Sequence, residues 1–544
     1  METIIGNRNL TLDDFRKILL EGNKIQIGDA ASERVEESYS FLKNFSKDKL
    51  IYGVNTGFGP MAQYRIADED QTALQYNLIR SHCSGMGKPL EPIFTKALMV
   101  ARLNTLLKGN SGVHPSTVEL LTEFINKDIH PLVYEHGSVG ASGDLVQLAH
   151  LALCLIGEGP AMLEGERTTS AKALEISNLQ PLKVHIREGL ALMNGTSAMT
   201  GVGVVNVIDA QNLLMWSLLA SSMIVELVES YDDHYSKELN ETKHHKGQSW
   251  IAAKMRYVLN DSKLVRKRHE HLYEKKVTEN VLHEKVQEYY SIRCVPQILG
   301  PIYDTIMKAQ EVVIDEVNSV NDNPVIDAKR KNVYHGGNFH GDYISMEMDK
   351  LKIAVTKMSM LSERQLNFLM NDKLNQKLPP FVNLGRLGFN LGMQGAQFVA
   401  TSTVAESQTL SFPMSLHSIP NNNDNQDMVS MGTNSALLTS KVIENTYQVL
   451  AVQFLTVIQA VDYLDIEDKM STYSKNIYRR LRDLVPVFTQ DTVMNEKTIL
   501  VRDYMKNNHL TLANIQAVFA DIECDVKLGY SQETLEEIFE VSVV

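Results

Sequence analysis

The hydrophobic positions change period along the chain. In "ISMEMDKLKIAVTKM" the apolar residues Ile344, Met348, Leu351, Val355 and Met358 step by four, three, four and three, which predicts one buried helix stripe. From Asn434 to Leu464 the chain runs 31 residues without Gly or Pro and is apolar on more than one face. A helix of that length approaches about 45 Å. Such faces must be covered, which predicts a bundle assembled from several copies. Nearer the start the period is mixed. "LTLDDFRKILL" has a helical beat after Thr11, "KIQIGD" alternates like a strand as far as Gly28, and "LIYGVNTGFGPM" reads as a short β-type run ending in glycine-rich loop.

These patterns divide the chain into a mixed domain over 1–190, a central helical bundle over 191–465 and a C-terminal helical segment over 466–544. The predicted fold class is therefore mainly α. With 544 residues, 44% hydrophobic, the chain can bury a large core, and length alone suggests about three or four domains. A net charge of -13 argues against a nucleic-acid surface, and the basic run "KLVRKRHEH" at 263–271 reads as a solvated helix face. Cys83, Cys154, Cys294 and Cys524 lie far apart with no CxxC spacing, which suits a reducing cytoplasm. The N-terminus lacks a basic-then-apolar leader pattern, and the apolar run Leu213–Val225 is too short for a bilayer, so no membrane role is expected.

Several site patterns fail on inspection. "GASGD" has Asp144 where a nucleophile elbow needs Gly, and "GMGKPL" lacks phosphate-loop spacing. "HEHLY" puts Tyr273 in place of a second zinc histidine, and His335 and His340 are five apart, so no metal is called for. Ala141-Ser142-Gly143 remains. A peptide nitrogen attacking the carbonyl two residues back would close a five-membered ring, which ordinary planar backbone resists. Gly143 offers an unhindered nitrogen and tolerates strain, Ala141 is too small to block the approach, and Ser142 can lose its hydroxyl.

On these residues the chain resembles the aromatic amino acid ammonia-lyases and aminomutases, which carry a 4-methylideneimidazole-5-one group (MIO) built from Ala-Ser-Gly. "YGVNTGFG" resembles the family's mobile loop, "EGLALMNGT" its asparagine segment and "VQEYYSIRCVPQ" its arginine segment; "NDNP" at 321–324, "GGNFHG" at 336–341 and "NNDNQDMVSMG" at 422–432 extend the likeness. The resemblance implies that Ala141, Ser142 and Gly143 form MIO, that Tyr52 takes the substrate β-proton, and that Arg293 grips its carboxylate. Asn194 and Tyr290 join the catalytic set, and Gly59, Gln287, Phe339, Glu406, Asn425 and Gln426 the substrate-binding set. It also implies a homotetramer with shared active sites acting on a small aromatic amino acid. The final "IQAVFADIECDVKLGYSQETLEEIFEVSVV" matches nothing in the family and reads as a helical or terminal addition, and the shielding insertion of plant phenylalanine lyases is absent.

Within the family, "LIRSHCSGMG" occupies the segment that reads the substrate ring. Ser81 and His82 stand where phenylalanine lyases have apolar residues, and His82 could bond a tyrosine phenol or a histidine imidazole equally well. A buried polar pair facing a bare phenyl ring would leave donors unsatisfied, at about 1–3 kcal/mol. Val146 and Gln147 replace the Ala-Pro usual in histidine lyases. Tyrosine, giving 4-coumarate and ammonia, is the expected substrate. Histidine, giving urocanate, and an aminomutase reaction are the alternatives.

Overall fold

The computed structural model describes residues 2–274, 276–282 and 285–510. The C-terminal addition, with Cys524, lies outside them. Near the start, β1 (Glu2–Ile5) pairs in parallel with β2 (Lys24–Ile27) around α1 (Leu12–Leu19). The helical beat after Thr11 is real and begins at a capping box: Thr11 Oγ1 accepts the Asp14 N–H, and Asp14 accepts the Thr11 N–H at 2.8 Å.

The glycine-rich stretch after Leu50 holds no strand. Its backbone is satisfied by turns, with Ile51 N–H donating to the Asn55 side chain and Gly57 N–H to the Tyr64 carbonyl, so the expected β-type run gives way to side-chain-supported loop. Next come α2 (Gln71–His82), α3 (Pro92–Leu107), the short strands β3 (Met86–Pro89) and β4 (Tyr134–His136), and α4 (Leu145–Leu155) directly behind Ala-Ser-Gly.

A six-residue helix, α5 (Glu188–Met193), leads into α6 (Ser197–Leu227). The bundle continues through α7 (Val295–Val317), α8 (Asp342–Met370), α9 (Gln394–Leu410) and α10 (Gly432–Leu464). The residues of the predicted α8 stripe are all fully buried. They face α10, α6 and α7. Helices α6 and α10 are long and apolar enough to cross a membrane by length and composition, which corrects the estimate made from Leu213–Val225 alone. Nearly all of α6 and most of α10 are buried inside the fold, where they serve as core helices. The last helices among the described residues are α11 (Thr472–Leu484) and α12 (Met494–Asn507), the latter burying Val501 and Met505.

The basic run at 263–271 is not a helix face. It bends through the chain and enters a five-residue π-helical turn at His269. Arg266 pairs with Glu229 and Arg268 with Asp233, both at 2.5 Å, so the charges are spent on specific partners that pull the segment out of helical register.

Candidate functional site

The Ala-Ser-Gly triplet sits where two backbones touch. Gly143 has φ +67°, and a Cβ there would lie 2.0 Å from the Gly195 carbonyl oxygen. Asp144 N–H donates to that carbonyl at 2.7 Å. Only a residue without a side chain fits this crossing. Around it, Asn194 Nδ2 donates to the Ser142 carbonyl at 2.9 Å and Gln426 Nε2 to Ser142 Oγ at 2.8 Å. Ala141 is buried among Val429 and Met431.

Asp144 follows the triplet directly. It stands at the N-cap of α4 but makes no side-chain bond to that helix. Its Oδ2 instead accepts the Ala198 and Met199 N–H groups at 2.9 and 2.8 Å, capping α6. Oδ1 accepts Ser138 Oγ–H at 2.8 Å and Thr433 Oγ1–H at 2.5 Å. Burial pushes this carboxyl's pKa up, and the four hydrogen bonds oppose the shift. The visible signal was an acidic residue heading an otherwise apolar helix.

A buried polar platform lies beneath Asn194. Arg187 and Asp322, both without solvent exposure, pair at 2.9 Å. Asn321 donates to Thr196 at 2.7 Å, and Arg102, with its pKa lowered by burial to about 10, reaches Ala191 O and Asn321. "NDNP" is thus a support for the turn between α5 and α6. Its Asn321 and Asp322 are legible as part of a motif, whereas Arg102 and Arg187 are not.

The loop bearing Tyr52 approaches from the side. Gly59 N–H donates to Tyr52 Oη at 3.1 Å, and a Cβ on Gly59 would lie 2.9 Å from Asn422 Nδ2, in the turn that carries Asn425 and Gln426. Asn425 is exposed there. Phe339 is half-buried in the 336–341 turn, which is tied to the residue preceding the triplet by Gly341 N–H donating to Gly140 O at 3.0 Å.

Ser81 and His82 end α2, which packs on α4 and α5. The buried pair foreseen from the sequence is only half realised: Ser81 is exposed and His82 half-buried, because both lie at the last turn of the helix. His82 Nδ1 lies 3.0 Å from the Leu78 carbonyl, which can only accept. Ser81 Oγ lies 3.1 Å from the same nitrogen, and in the tautomer that carries its proton on Nδ1 the ring's Nε2 presents a lone pair. Gln147 turns its amide to the β4 carbonyls of Tyr134 and Glu135, and Val146 packs over Gly137. Those two residues pack on the strand and loop that precede the triplet.

The remaining residues are not brought to the triplet within one chain. Arg293 donates to Gln287 and stacks 4.7 Å from the Tyr290 ring, which is exposed. Arg293 and Gln287 line a separate cavity of about 570 Å³ together with His234 and Arg268. Glu406, on α9, is half exposed and accepts Asn445 Nδ2–H at 2.7 Å.

The sequence model of the aromatic amino acid lyase family matches residues 10–483. The chain belongs to that family. It is 37% identical over 510 residues to a histidine ammonia-lyase of Bacillus thuringiensis, covering 94% of this chain and 98% of the relative. Among solved structures, tyrosine aminomutase from Streptomyces globisporus superposes with a TM-score of 0.91 at 34% identity, covering 97% of this chain and all of the other. Phenylalanine aminomutase of Pantoea agglomerans gives 0.89 at 32%, covering 94% and 100%. The helical fold is that of the aromatic amino acid lyase family, and the protein is an enzyme of the ammonia-lyase and aminomutase group.

Proposed function

We propose that the protein eliminates ammonia from L-tyrosine to give 4-coumarate. The observation that carries the choice away from phenylalanine is the polar His82, whose Nδ1 lies 3.0 Å from the Leu78 carbonyl and leaves Nε2 clear of that contact. A lone pair on Nε2 suits the phenolic O–H of tyrosine and would accept an imidazole N–H of histidine equally well. The likeness to a tyrosine aminomutase favours the phenol. A second reading, histidine as substrate, is favoured by the 37% identical histidine ammonia-lyase.

In this reading Ala141, Ser142 and Gly143 carry MIO, and the residues present fit it. The bare Gly143 crossing and the amide of Asn194 on the Ser142 carbonyl are supports such a ring needs, and the amide of Gln426 engages the Ser142 hydroxyl that ring formation expels. When present, MIO supplies an electrophilic carbon for the substrate amine. Tyr52, oriented by the Gly59 N–H, takes the β-proton. Arg293 holds the carboxylate through paired hydrogen bonds, aided by Gln287 and Tyr290.

Because Arg293 and Gln287 line a cavity apart from the triplet and Tyr290 is exposed beside Arg293, the reading requires them from neighbouring copies in a homotetramer. The exposed Tyr343, Phe398, Phe412 and Leu416 supply apolar surface for such contacts. The free thiols of Cys83, Cys154 and Cys294 suit a cytoplasmic setting.

Purified protein offered L-tyrosine, L-histidine and L-phenylalanine in turn, followed by the absorbance of coumarate, urocanate and cinnamate, tests the substrate. Preference for histidine would overturn the choice, and a β-amino acid product would make the enzyme a mutase. Mixed oligomers of Ser142→Ala and Arg293→Ala chains should regain activity that neither variant has alone. No recovery in mixed oligomers would rule out shared sites.

A further inference from the structure

Gln75 lies in the middle of α2 and is fully buried. Both ends of its amide are engaged. Oε1 accepts the Leu190 N–H of α5 at 3.2 Å, and Nε2 donates to the Gly53 carbonyl, next to Tyr52, at 3.4 Å. Two glycines let three backbones converge at this point. A Cβ on Gly53, whose φ is +73°, would fall 2.3 Å from Leu190 Cδ2, and one on Gly189 would fall 2.7 Å from the Gln75 carbonyl oxygen. A buried amide in so tight an apolar node is stable only with its partners in place.

The rest of the Tyr52 loop is tied mainly to itself. Gly57 N–H donates to Tyr64 O at 2.9 Å and Ile66 N–H to Asn55 O at 3.0 Å, while Met61 and Tyr64 are exposed. At its other end the Gln75 amide holds α5, whose C-terminus delivers Asn194 to the Ser142 carbonyl. One side chain therefore touches both the support of the phenol and the support of the triplet.

We propose that Gln75 is a positioning residue for the reaction, setting the distance between the Tyr52 phenol and the substrate carbon held over the triplet. This rests on the lyase reading above. Removing the amide leaves the Leu190 N–H and the Gly53 carbonyl unpaired and frees the loop to shift. A displacement of about 1 Å at a reacting group can cost about 100-fold in rate.

Gln75→Met in the full-length protein fills the same volume without the hydrogen bonds. Its kcat should fall about 10- to 100-fold, with KM little changed and the MIO absorbance retained. The primary isotope effect with β-deuterated tyrosine should rise, and amide exchange over residues 51–66 should accelerate. Gln75→Glu at pH 6, where burial keeps the carboxyl protonated, keeps a donor and an acceptor and should restore slow exchange. Wild-type kcat, isotope effect and loop exchange in folded Gln75→Met would overturn the proposal. So would loss of MIO absorbance in step with activity, because Gln75 would then act on the triplet and not on the base. A wild-type protein that turns over no aromatic amino acid would defeat the lyase reading, while the exchange data would still judge the tie between Gln75 and the loop.

Discussion

Asp144 Oδ1 accepts the Thr433 hydroxyl at 2.5 Å, joining the residue behind the triplet to the first turn of α10. The same carboxylate caps α6, so one buried charge aligns two core helices with the site. Asp144→Ala strips four donors of their acceptor at once. Hydrogen bonds to a charged group contribute about 1.5–3 kcal/mol each, so the variant should lose several kcal/mol or fail to fold. A thermal melt matching wild type would contradict this account.

Ser142→Ala should abolish both turnover and MIO absorbance, since no hydroxyl remains to be expelled. Tyr52→Phe removes the base alone, and it should keep the absorbance while kcat falls about 10²- to 10⁴-fold. Activity without the absorbance would remove MIO from the assignment.

His82→Leu deletes the acceptor offered to the substrate ring. An unpaired phenolic hydroxyl costs about 1–3 kcal/mol, so kcat/KM for tyrosine should drop roughly 5- to 150-fold and that for phenylalanine should rise. Parallel assays on the two substrates measure the ratio, and an unchanged ratio would place ring recognition elsewhere.

Asp14 makes stability depend on pH at the acidic end. Burial works to raise its pKa, but the hydrogen bonds from Arg8 and from the Thr11 N–H and hydroxyl outweigh it and hold the carboxyl at about 2. That is below the unfolded value of about 3.9. The carboxylate's contribution is thus complete above about pH 4 and disappears as pH falls towards 2. Arg8 is more than half exposed, which screens the pair. Asp14→Ala should therefore cost only about 1 kcal/mol at pH 7, with the deficit constant down to about pH 4 and shrinking below it. Denaturant melts across that range would show a deficit growing on acidification if the sign were wrong.

What the sequence revealed tracks how local the cause is. The α8 stripe, the capped start of α1 and β2 could be read because period and capping act within a few residues. Asn194 and Gln426 were recognisable by family motif, and both prove to touch Ser142. Other features depend on partners far along the chain. Nothing local to "KLVRKRHEH" announces that Glu229 and Asp233 will break its helix. The capping of α6 by Asp144, the Arg187–Asp322 pair and the Gln75 node likewise exist only once distant segments meet. The surface position of Ser81 was missed for the opposite reason, since a motif position carries no information about exposure at a helix end.

The bare contact between Gly143 and Gly195 also carries a consequence for time. A ring closed from Ala141, Ser142 and Gly143 needs the crossing that Gly195 and the start of α6 impose, and a nascent chain lacks it. The chromophore would then work as a clock started by tertiary structure. Freshly refolded chains should gain their near-ultraviolet band only after the helices have assembled, so colour would date each molecule's passage to the native state.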